Sequence, residues 1–270
     1  MPLIYLVSWN HKGLLPLEQE TEAAFLQRAA LLEQPHASTT NIEASLAYCD
    51  QLFDVRPDWV RVTEQQQGLS PWQGAVTWIQ EAPDHTLIPL IQISPRMQGS
   101  VFQKWYSREE ILAHELIHAV RLPLKSSRFE ECIAYQTSRS KWRKWLGPIL
   151  RHPYEVYVLL AALLIGWVGM FWDAVSFLVW APWAVSLFGL LRLSHTHRVF
   201  KRCLEQLKKL DHLSLPIAAR LTDREIELFA RSSVQSIRAY IAEQSKTELR
   251  WQMLCAAYPA LALGSGSDMQ

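Results

Sequence analysis

The sequence predicts an α+β protein that also contains a transmembrane helical hairpin. Three short runs rich in β-branched and aromatic residues indicate strands, and they lie among segments whose apolar residues recur with a helical period. A third observation concerns residues 156–191, which are apolar apart from one charged side chain, Asp173. A stretch of this kind is unusual in a soluble domain and indicates contact with a membrane.

Charge and cysteine usage exclude several classes of protein. The 27 Lys and Arg residues nearly balance the 26 Asp and Glu residues, so the chain lacks the positive field of a nucleic-acid-binding protein, and we expect no nucleic-acid partner. Its four cysteines are isolated, without a Cys-x-x-Cys pair, which excludes a cysteine zinc cluster. Reduced thiols in a cytosolic compartment are the expected state.

The first part of the chain predicts one strand followed by two helices. Residues 1–13 are mostly apolar and lack a basic leader, so we interpret them as a strand and expect no cleaved signal. Residues 17–34 have helical periodicity that Pro35 ends. Thr40 and Glu43 have the spacing of a capping box, which predicts a second helix to about Phe53.

Three strands and a capped helix follow. The strands are predicted at residues 59–63, 75–79 and 87–93, and Pro89 places the third at a sheet edge or at its own start. Ser107 and Glu110 then form a second capping-box pattern, which begins the next helix.

The apolar stretch divides into two membrane-spanning segments at Trp172 and Asp173. The segments contain about 17 and 18 residues, and each would form a helix of about 26 Å, just long enough to cross the hydrocarbon layer. Pro182 is expected to kink the second segment. The alternative is a buried or re-entrant helical hairpin in a soluble protein.

Basic residues flank both ends of the predicted hairpin, which places both flanks in the cytoplasm. Trp142 and Trp145 lie among the basic residues that precede the hairpin. This combination of tryptophan and basic residues favours binding to a membrane surface over binding to nucleic acid. The flanking basic residues are Arg139, Lys141, Arg143, Lys144 and Arg151 before the hairpin, and Arg192, Arg198, Lys201 and Arg202 after it.

We expect the chain to consist of four parts. Residues 1–150 are predicted to form one domain of strands and helices, residues 151–193 the two-span hairpin, and residues 194–263 a cytosolic helical region. Residues 264–270 (GSGSDMQ) have the composition of a linker or tag remnant.

The pattern that indicates chemistry is His114-Glu115-Leu116-Ile117-His118, an HExxH motif on the helix that follows Ser107. Positions i and i+4 share a helix face, so both imidazoles can bind one metal ion while Glu115 lies beside them to activate a water molecule. Zinc at such a site needs a third protein ligand. Glu130 and Glu131 begin another helix downstream and could reach back, although helix N-terminal charge alone would also explain either residue.

With these residues the chain resembles the gluzincin group of zincin metallopeptidases, over about residues 59–145. Glu131-Cys132-Ile133-Ala134-Tyr135 matches the group's Glu-x-x-Ala-Asp motif, and the resemblance implies a zincin-like fold with Glu131 as the third zinc ligand and Glu130 in reserve. Tyr135 replaces the usual acidic residue, which leaves the second partner of a histidine unassigned, and the gap from His118 to Glu131 is short for the group. The resemblance also implies that the strand at residues 87–94 is an edge strand that pairs with an extended substrate.

The implied reaction is hydrolysis of a peptide bond with one zinc ion per chain. Glu115 is the general base and zinc-bound water the nucleophile. The reaction also needs an electrophile that stabilises the negative oxygen of the transition state, and the sequence offers several candidates without distinguishing among them. The candidates are Tyr106, Tyr135, His152, Tyr154 and Tyr157, and the interfacial residues His195 and His197 could also have this role.

We therefore expect an integral membrane zinc endopeptidase with two spans, which cleaves peptides or membrane-protein segments near the cytosolic membrane surface. Its catalytic domain and C-terminus would be cytoplasmic, at the inner membrane if the cell is bacterial. Two alternatives stay open. One is a catalytically inactive zinc-binding interaction protein, and the other is a structural or channel-like hairpin protein with an accidental motif.

Overall fold

The computed structural model describes residues 2–34, 38–70, 73–82, 85–98, 101–102, 106–149 and 154–262. Arg151, His152 and residues 264–270 lie outside these ranges. The described residues form a mainly helical α+β structure, which confirms the predicted α+β class. The helices are α1 Leu3–His11, α2 Glu22–Leu32, α3 Glu43–Phe53, α4 Arg108–Arg121, α5 Glu130–Ala134, α6 Lys141–Leu146, α7 Tyr154–Val168, α8 Ala181–Lys208, α9 Ser214–Ala218, α10 Asp223–Arg231, α11 Val234–Thr247 and α12 Leu249–Ala257. The strands are β1 Arg61–Glu64, β2 Ala75–Glu81, β3 Leu87–Ile93, β4 Val101–Phe102 and β5 Tyr106–Ser107.

The three longer strands form one sheet in the order β1-β3-β2, beside a small β4-β5 pair. β1 runs parallel to β3, and β2 pairs with β3 in the antiparallel sense. The prediction that residues 87–94 form an edge strand is therefore wrong, because β3 is central and β2 lies at the edge. Pro89 does lie near the start of β3, one residue before Leu90 makes the first pairing with β1.

The first residues form helix α1, so the predicted N-terminal strand is wrong. A short apolar run fits either structure, and here tertiary packing decides, because α1 packs against α12. Leu6 and Asn10 face the interior, and Asn10 Oδ1 accepts a hydrogen bond from Arg220 Nε at 2.7 Å.

Helix α3 begins without the capping box predicted at Thr40. Its N-cap is Ile42, and Asn41 Oδ1 accepts a hydrogen bond from Glu43 N at 2.9 Å. The Thr40 hydroxyl accepts instead from the guanidinium of Arg108 at the start of α4. The Thr40 side chain, which the local pattern predicts to cap α3, therefore binds Arg108 instead, a residue distant in the sequence.

The N-terminal region and the C-terminal helices share one hydrophobic core. Arg220, between α9 and α10, is fully buried and connects them: its Nη1 donates to the carbonyl oxygens of Phe53 (2.9 Å) and Pro216 (2.7 Å), and its Nη2 to that of Asp54 (2.7 Å). Residues 194–262 thus pack directly on the region that carries the HExxH motif.

Helices α7 and α8 carry the apolar stretch, with 3-10 turns at Asp173–Trp180 between them. By length and composition, Val175–Lys208 is a helical stretch that could cross a membrane, and its apolar window is not buried in the described structure. Pro182 lies in the first turn of α8, where it needs no hydrogen-bond partner for its nitrogen, so the irregular geometry precedes it.

Helix α8 continues far beyond the apolar stretch. Its 28 residues extend for about 42 Å, and its second half packs in the core through Val199, Phe200, Cys203 and Leu207. The second apolar segment and the beginning of the helical region predicted at residues 194–263 are therefore one continuous helix.

Two features hold α7 against the beginning and middle of α8. A Cβ added at Gly166 would lie 2.9 Å from Pro182 Cδ, so only glycine permits this approach. At the other end, Arg192 donates to both carboxylate oxygens of Glu155, at 2.6 and 2.8 Å. A bidentate ion pair therefore closes the polar end of the pair of helices.

Candidate metal centre

The helix that carries the HExxH motif begins as predicted. Ser107 Oγ accepts from Glu110 N at 3.2 Å, and Glu110 Oε2 accepts from Ser107 N at 3.3 Å, which completes the capping box. Leu116, Ile117 and their apolar neighbours on α4 are buried. The apolar face of α4 thus packs in the core, while the two histidines and Glu115 lie on a partly exposed face.

Three side chains converge where the sequence predicts a metal site. His114 Nε2 lies 3.1 Å from His118 Nε2. The Glu131 carboxylate lies 3.5 Å from each of these nitrogens, through Oε2 to His114 and Oε1 to His118. Helix α5 packs on α4 and so brings Glu131 to the histidines across the short loop.

These separations fit a small tetrahedral metal ion. Bonds of about 2.0–2.1 Å to nitrogen and oxygen imply ligand-to-ligand distances of roughly 3.3 Å in a tetrahedral zinc site, and the three separations bracket that value. Two imidazoles and one carboxylate are also a donor set that zinc accepts, and because histidine binds zinc in its neutral form, a protonated ring would release a proton on binding. The residues present therefore fit the group that the motif implies.

Glu130 has a different position from Glu131. Its Oε1 accepts from His118 Nδ1 at 2.9 Å, on the side of the imidazole opposite Nε2, the nitrogen that faces His114 and Glu131. Its Oε2 accepts from Arg121 Nε at 2.7 Å. Glu130 is thus the hydrogen-bond partner of the second nitrogen of His118. The sequence leaves this partner unassigned, because Tyr135 replaces the usual acidic residue.

The electrostatics of this cluster stabilise negative carboxylates around a positive imidazole. Burial disfavours the charged form of His118, but its hydrogen bond to Glu130 and the nearby carboxylates outweigh burial and raise its pKa to about 9. Burial opposes ionisation of Glu130, yet Arg121 and His118 lower its pKa, and His114 and His118 likewise lower the pKa of Glu131 against burial. The two glutamates are thus negative at neutral pH, as a cation site requires.

Glu115 is held by the edge strand. Thr77 of β2 donates a 2.6 Å hydrogen bond from Oγ1 to Glu115 Oε2. Glu115 and His114 line one pocket of about 310 Å³, together with Tyr106 and Tyr135. The pocket therefore brings together Glu115, which the sequence predicts to be the base, one predicted metal ligand and two tyrosines.

The candidate electrophiles differ in their distance from the site. Tyr106 and Tyr135 line the pocket, and the Tyr135 ring packs edge-on against His114 with ring centroids 4.7 Å apart. Burial raises the pKa of Tyr135 to about 12, so its hydroxyl keeps its proton. Tyr154 and Tyr157 are exposed on α7, and His152 lies outside the described residues.

His195 and His197 have structural contacts on α8. His195 Nδ1 accepts from Arg128 at 3.1 Å, while His197 Nε2 donates to Trp145 O at 2.8 Å. His197 Nδ1 lies 3.6 Å from Cys132 Sγ, beside Glu131. These histidines connect α8 to the segments around the candidate metal centre.

Sequence reasoning did not find the roles of Thr77 and Arg121. Thr77 lies on a predicted strand, but its contact with Glu115 depends on packing between β2 and α4. Arg121 ends α4, where a basic residue is ordinary, yet it is buried and also donates to Ala219 O at 2.7 Å. The only sequence feature that indicates the role of Arg121 is its position in the last turn of the helix that carries the motif, three residues after His118.

Comparisons with models of protein families, with curated proteins and with solved structures find no match to this chain.

Proposed function

We propose that this chain is a membrane-anchored zinc endopeptidase that hydrolyses peptide bonds near the cytosolic surface of the membrane. The observation that carries the proposal is the convergence of His114, His118 and Glu131 within 3.5 Å of one another, beside a pocket that contains Glu115. The three side chains would hold the ion. Zinc bound there would act as a Lewis acid that polarises a carbonyl group and lowers the pKa of water.

Glu115 acts as the general base. Its carboxylate takes the proton of the attacking water at Oε1, the oxygen that Thr77 does not contact, and later delivers the proton to the leaving amine. The Thr77 hydrogen bond fixes the orientation of the carboxylate during both transfers. Glu130 and Arg121 keep the His118 ring in place.

Tyr135 is the proposed donor to the oxygen that becomes negative in the transition state. Its hydroxyl keeps its proton because burial raises its pKa to about 12, and its ring packs on His114. Tyr106 lines the same pocket and is the second candidate.

The proposed membrane anchor is a two-span hairpin of α7 and α8 with Asp173 at its tip. Exposed apolar side chains on both helices support it, among them Leu164, Trp167, Trp183 and Phe188, each at least 60% exposed. A surface of this size requires lipid or a partner to cover it. The basic flanks orient the hairpin with both ends in the cytoplasm.

A short series of contacts supports a site close to the membrane surface. The Tyr135 ring, in contact with His114, also lies against Gly147, where an added Cβ would be 2.3 Å from the ring. Two residues further on, Ile149 O accepts from Arg192 Nη2 at 2.8 Å, at the polar end of the proposed hairpin. Because these contacts connect the site to the polar end of the proposed hairpin, the favoured substrates are membrane-tethered peptides and segments next to a transmembrane span.

The test is cleavage of peptides by the full chain in proteoliposomes, with the Glu115→Gln variant as the matched control. We expect zinc-dependent cleavage by the wild type, with a tethered peptide cut faster than the same peptide free in solution. Stoichiometric zinc with no cleavage of any peptide in a diverse library would instead support the inactive interaction protein.

A further inference from the structure

Helix α6 presents an exposed surface of lysine and tryptophan side chains. Its sequence, Lys-Trp-Arg-Lys-Trp-Leu, contains no acidic residue. Trp142 is 73% exposed, Trp145 is 41% exposed, and Lys141 is also exposed. Tryptophan is costly on a surface that faces only water, whereas tryptophan beside lysine is typical of the boundary between lipid headgroups and acyl chains.

The inner contacts of α6 determine which side chains face outward. Arg143 donates to both oxygens of Glu110, and its guanidinium lies 4.5 Å from the centroid of the Tyr106 ring. Gly147, one turn further, lies against Tyr135. Because these residues face the protein, the outer surface consists of Lys141, Trp142, Lys144, Trp145 and Leu146, of which Lys144 is half-buried. The Trp145 ring also stacks on His197 of α8, with ring centroids 6.3 Å apart, so only part of it faces outward. We call the surface of Lys141, Trp142, Lys144 and Trp145 the lipid face.

The position of α6 matches the polar end of the proposed hairpin. The helical segment Lys141–Ile149 makes an angle of 77° with Tyr154–Val168. Arg192 fixes the relation between them, because it donates both to Ile149 O and to Glu155 at the start of α7. A segment nearly perpendicular to a spanning helix lies close to the plane of the membrane, and this one lies at the level of the last charged groups before the apolar surface.

We propose that the lipid face binds the anionic phospholipids of the membrane surface, with Lys141 and Lys144 contacting phosphate groups and Trp142 and Trp145 inserted between headgroups. Charge complementarity and continuity with the apolar surface of α7 and α8 select a bilayer as the occupant. This inference rests on the proposed membrane hairpin, but it does not depend on catalysis, since lipid binding at α6 requires neither zinc nor Glu115.

The experiment measures amide hydrogen exchange of the full chain in nanodiscs of phosphatidylcholine alone, or with roughly 30 mol per cent phosphatidylglycerol. Bound anionic lipid stabilises α6 against local opening, so we expect exchange in residues 139–149 to slow about fivefold or more in the anionic nanodiscs. The variant Lys141→Glu/Lys144→Glu should lose this difference. The matched variant Lys208→Glu/Lys209→Glu, exposed at the far end of α8, should keep it.

Unchanged exchange in α4 of each variant in phosphatidylcholine nanodiscs verifies that the fold is intact. Equal exchange of residues 139–149 in the two lipids for the wild type would overturn the proposal, and so would a wild-type response in Lys141→Glu/Lys144→Glu. Either outcome leaves the peptidase proposal standing, because zinc content and cleavage are measured separately.

Discussion

Glu130 Oε1 lies 2.9 Å from His118 Nδ1, on the imidazole nitrogen opposite the one that faces Glu131. Two adjacent glutamates on one short helix thus lie beside the two different nitrogens of a single histidine. Glu131 lies beside the nitrogen that would bind the metal ion, whereas Glu130 accepts a hydrogen bond from the other nitrogen and so orients the ring. This division of roles makes the two carboxylates separable by mutation.

Glu130→Gln should weaken zinc binding without abolishing it. Loss of the negative charge reduces the basicity of His118 and leaves the buried Arg121 without its ionic partner, so we expect zinc affinity to fall about 10- to 100-fold. Chelator competition measures the affinity. Exposed Glu109→Gln, on the same helix as the histidines, is the control and should leave zinc affinity within error of the wild type.

Glu115→Gln should remove catalysis while zinc stays bound. The glutamine side chain can still accept the Thr77 hydrogen bond, but it cannot take a proton, so kcat should fall at least about a hundredfold. Peptide cleavage and metal content are measured on the same preparation. An active Glu115→Gln enzyme would remove Glu115 from the mechanism.

Tyr135→Phe should lower kcat by about a hundredfold and change KM little, since it removes a donor to the transition state and preserves the ring contact with His114. Steady-state kinetics of this variant are compared with Tyr106→Phe and with Tyr154→Phe, which is exposed on α7. A large loss in Tyr106→Phe alone would transfer the role to Tyr106.

Acid should destabilise the fold through Glu225, which is buried and accepts from Arg250 Nη2 at 2.6 Å and Trp251 Nε1 at 2.9 Å. Burial opposes its ionisation, but these partners lower its pKa below the unfolded value. Its contribution to stability is therefore complete above the unfolded pKa and is lost as the pH falls through the folded pKa. Glu225→Gln should cost about 3 kcal/mol at neutral pH and flatten the acid dependence of thermal unfolding. Exposed Glu243→Gln, whose ion pair with Lys246 is worth at most about 1 kcal/mol, is the control.

Topology is testable by cysteine labelling in sealed vesicles, in a Cys255→Ser background because Cys49, Cys132 and Cys203 are buried. Cysteines placed at Ser70 and Ser232 should react only from the cytosolic face, and a cysteine at Asp173 only from the opposite face. Reaction of the Asp173→Cys variant from the cytosolic face would indicate a re-entrant hairpin and contradict the two-span proposal.

Local patterns predicted much of the structure that surrounds the site. The strands at 59–63, 75–79 and 87–93 each lie within two residues of their observed positions, and the Ser107–Glu110 capping box is present. The HExxH spacing brings His114 and His118 together because the period of a helix is a local property. Glu131 also lies with them, as the resemblance implied.

Long-range packing decided what the sequence did not predict. The order of strands depends on which pairs form across the sheet, so Pro89 did not reveal that β3 is central. Residues 3–11 form a helix because α12 packs against them. The contact of Thr77 with Glu115 joins residues far apart in the chain and has no local pattern.

Metal content of the purified full chain is the most direct test of the central claim, that His114, His118 and Glu131 bind one zinc ion. Elemental analysis after purification in chelator-free buffer should give about one zinc per chain for the wild type and for Glu130→Gln at saturating zinc, and none for His114→Ala, His118→Ala or Glu131→Ala. A wild-type chain that binds no zinc, or a Glu131→Ala chain that keeps it, would contradict the account.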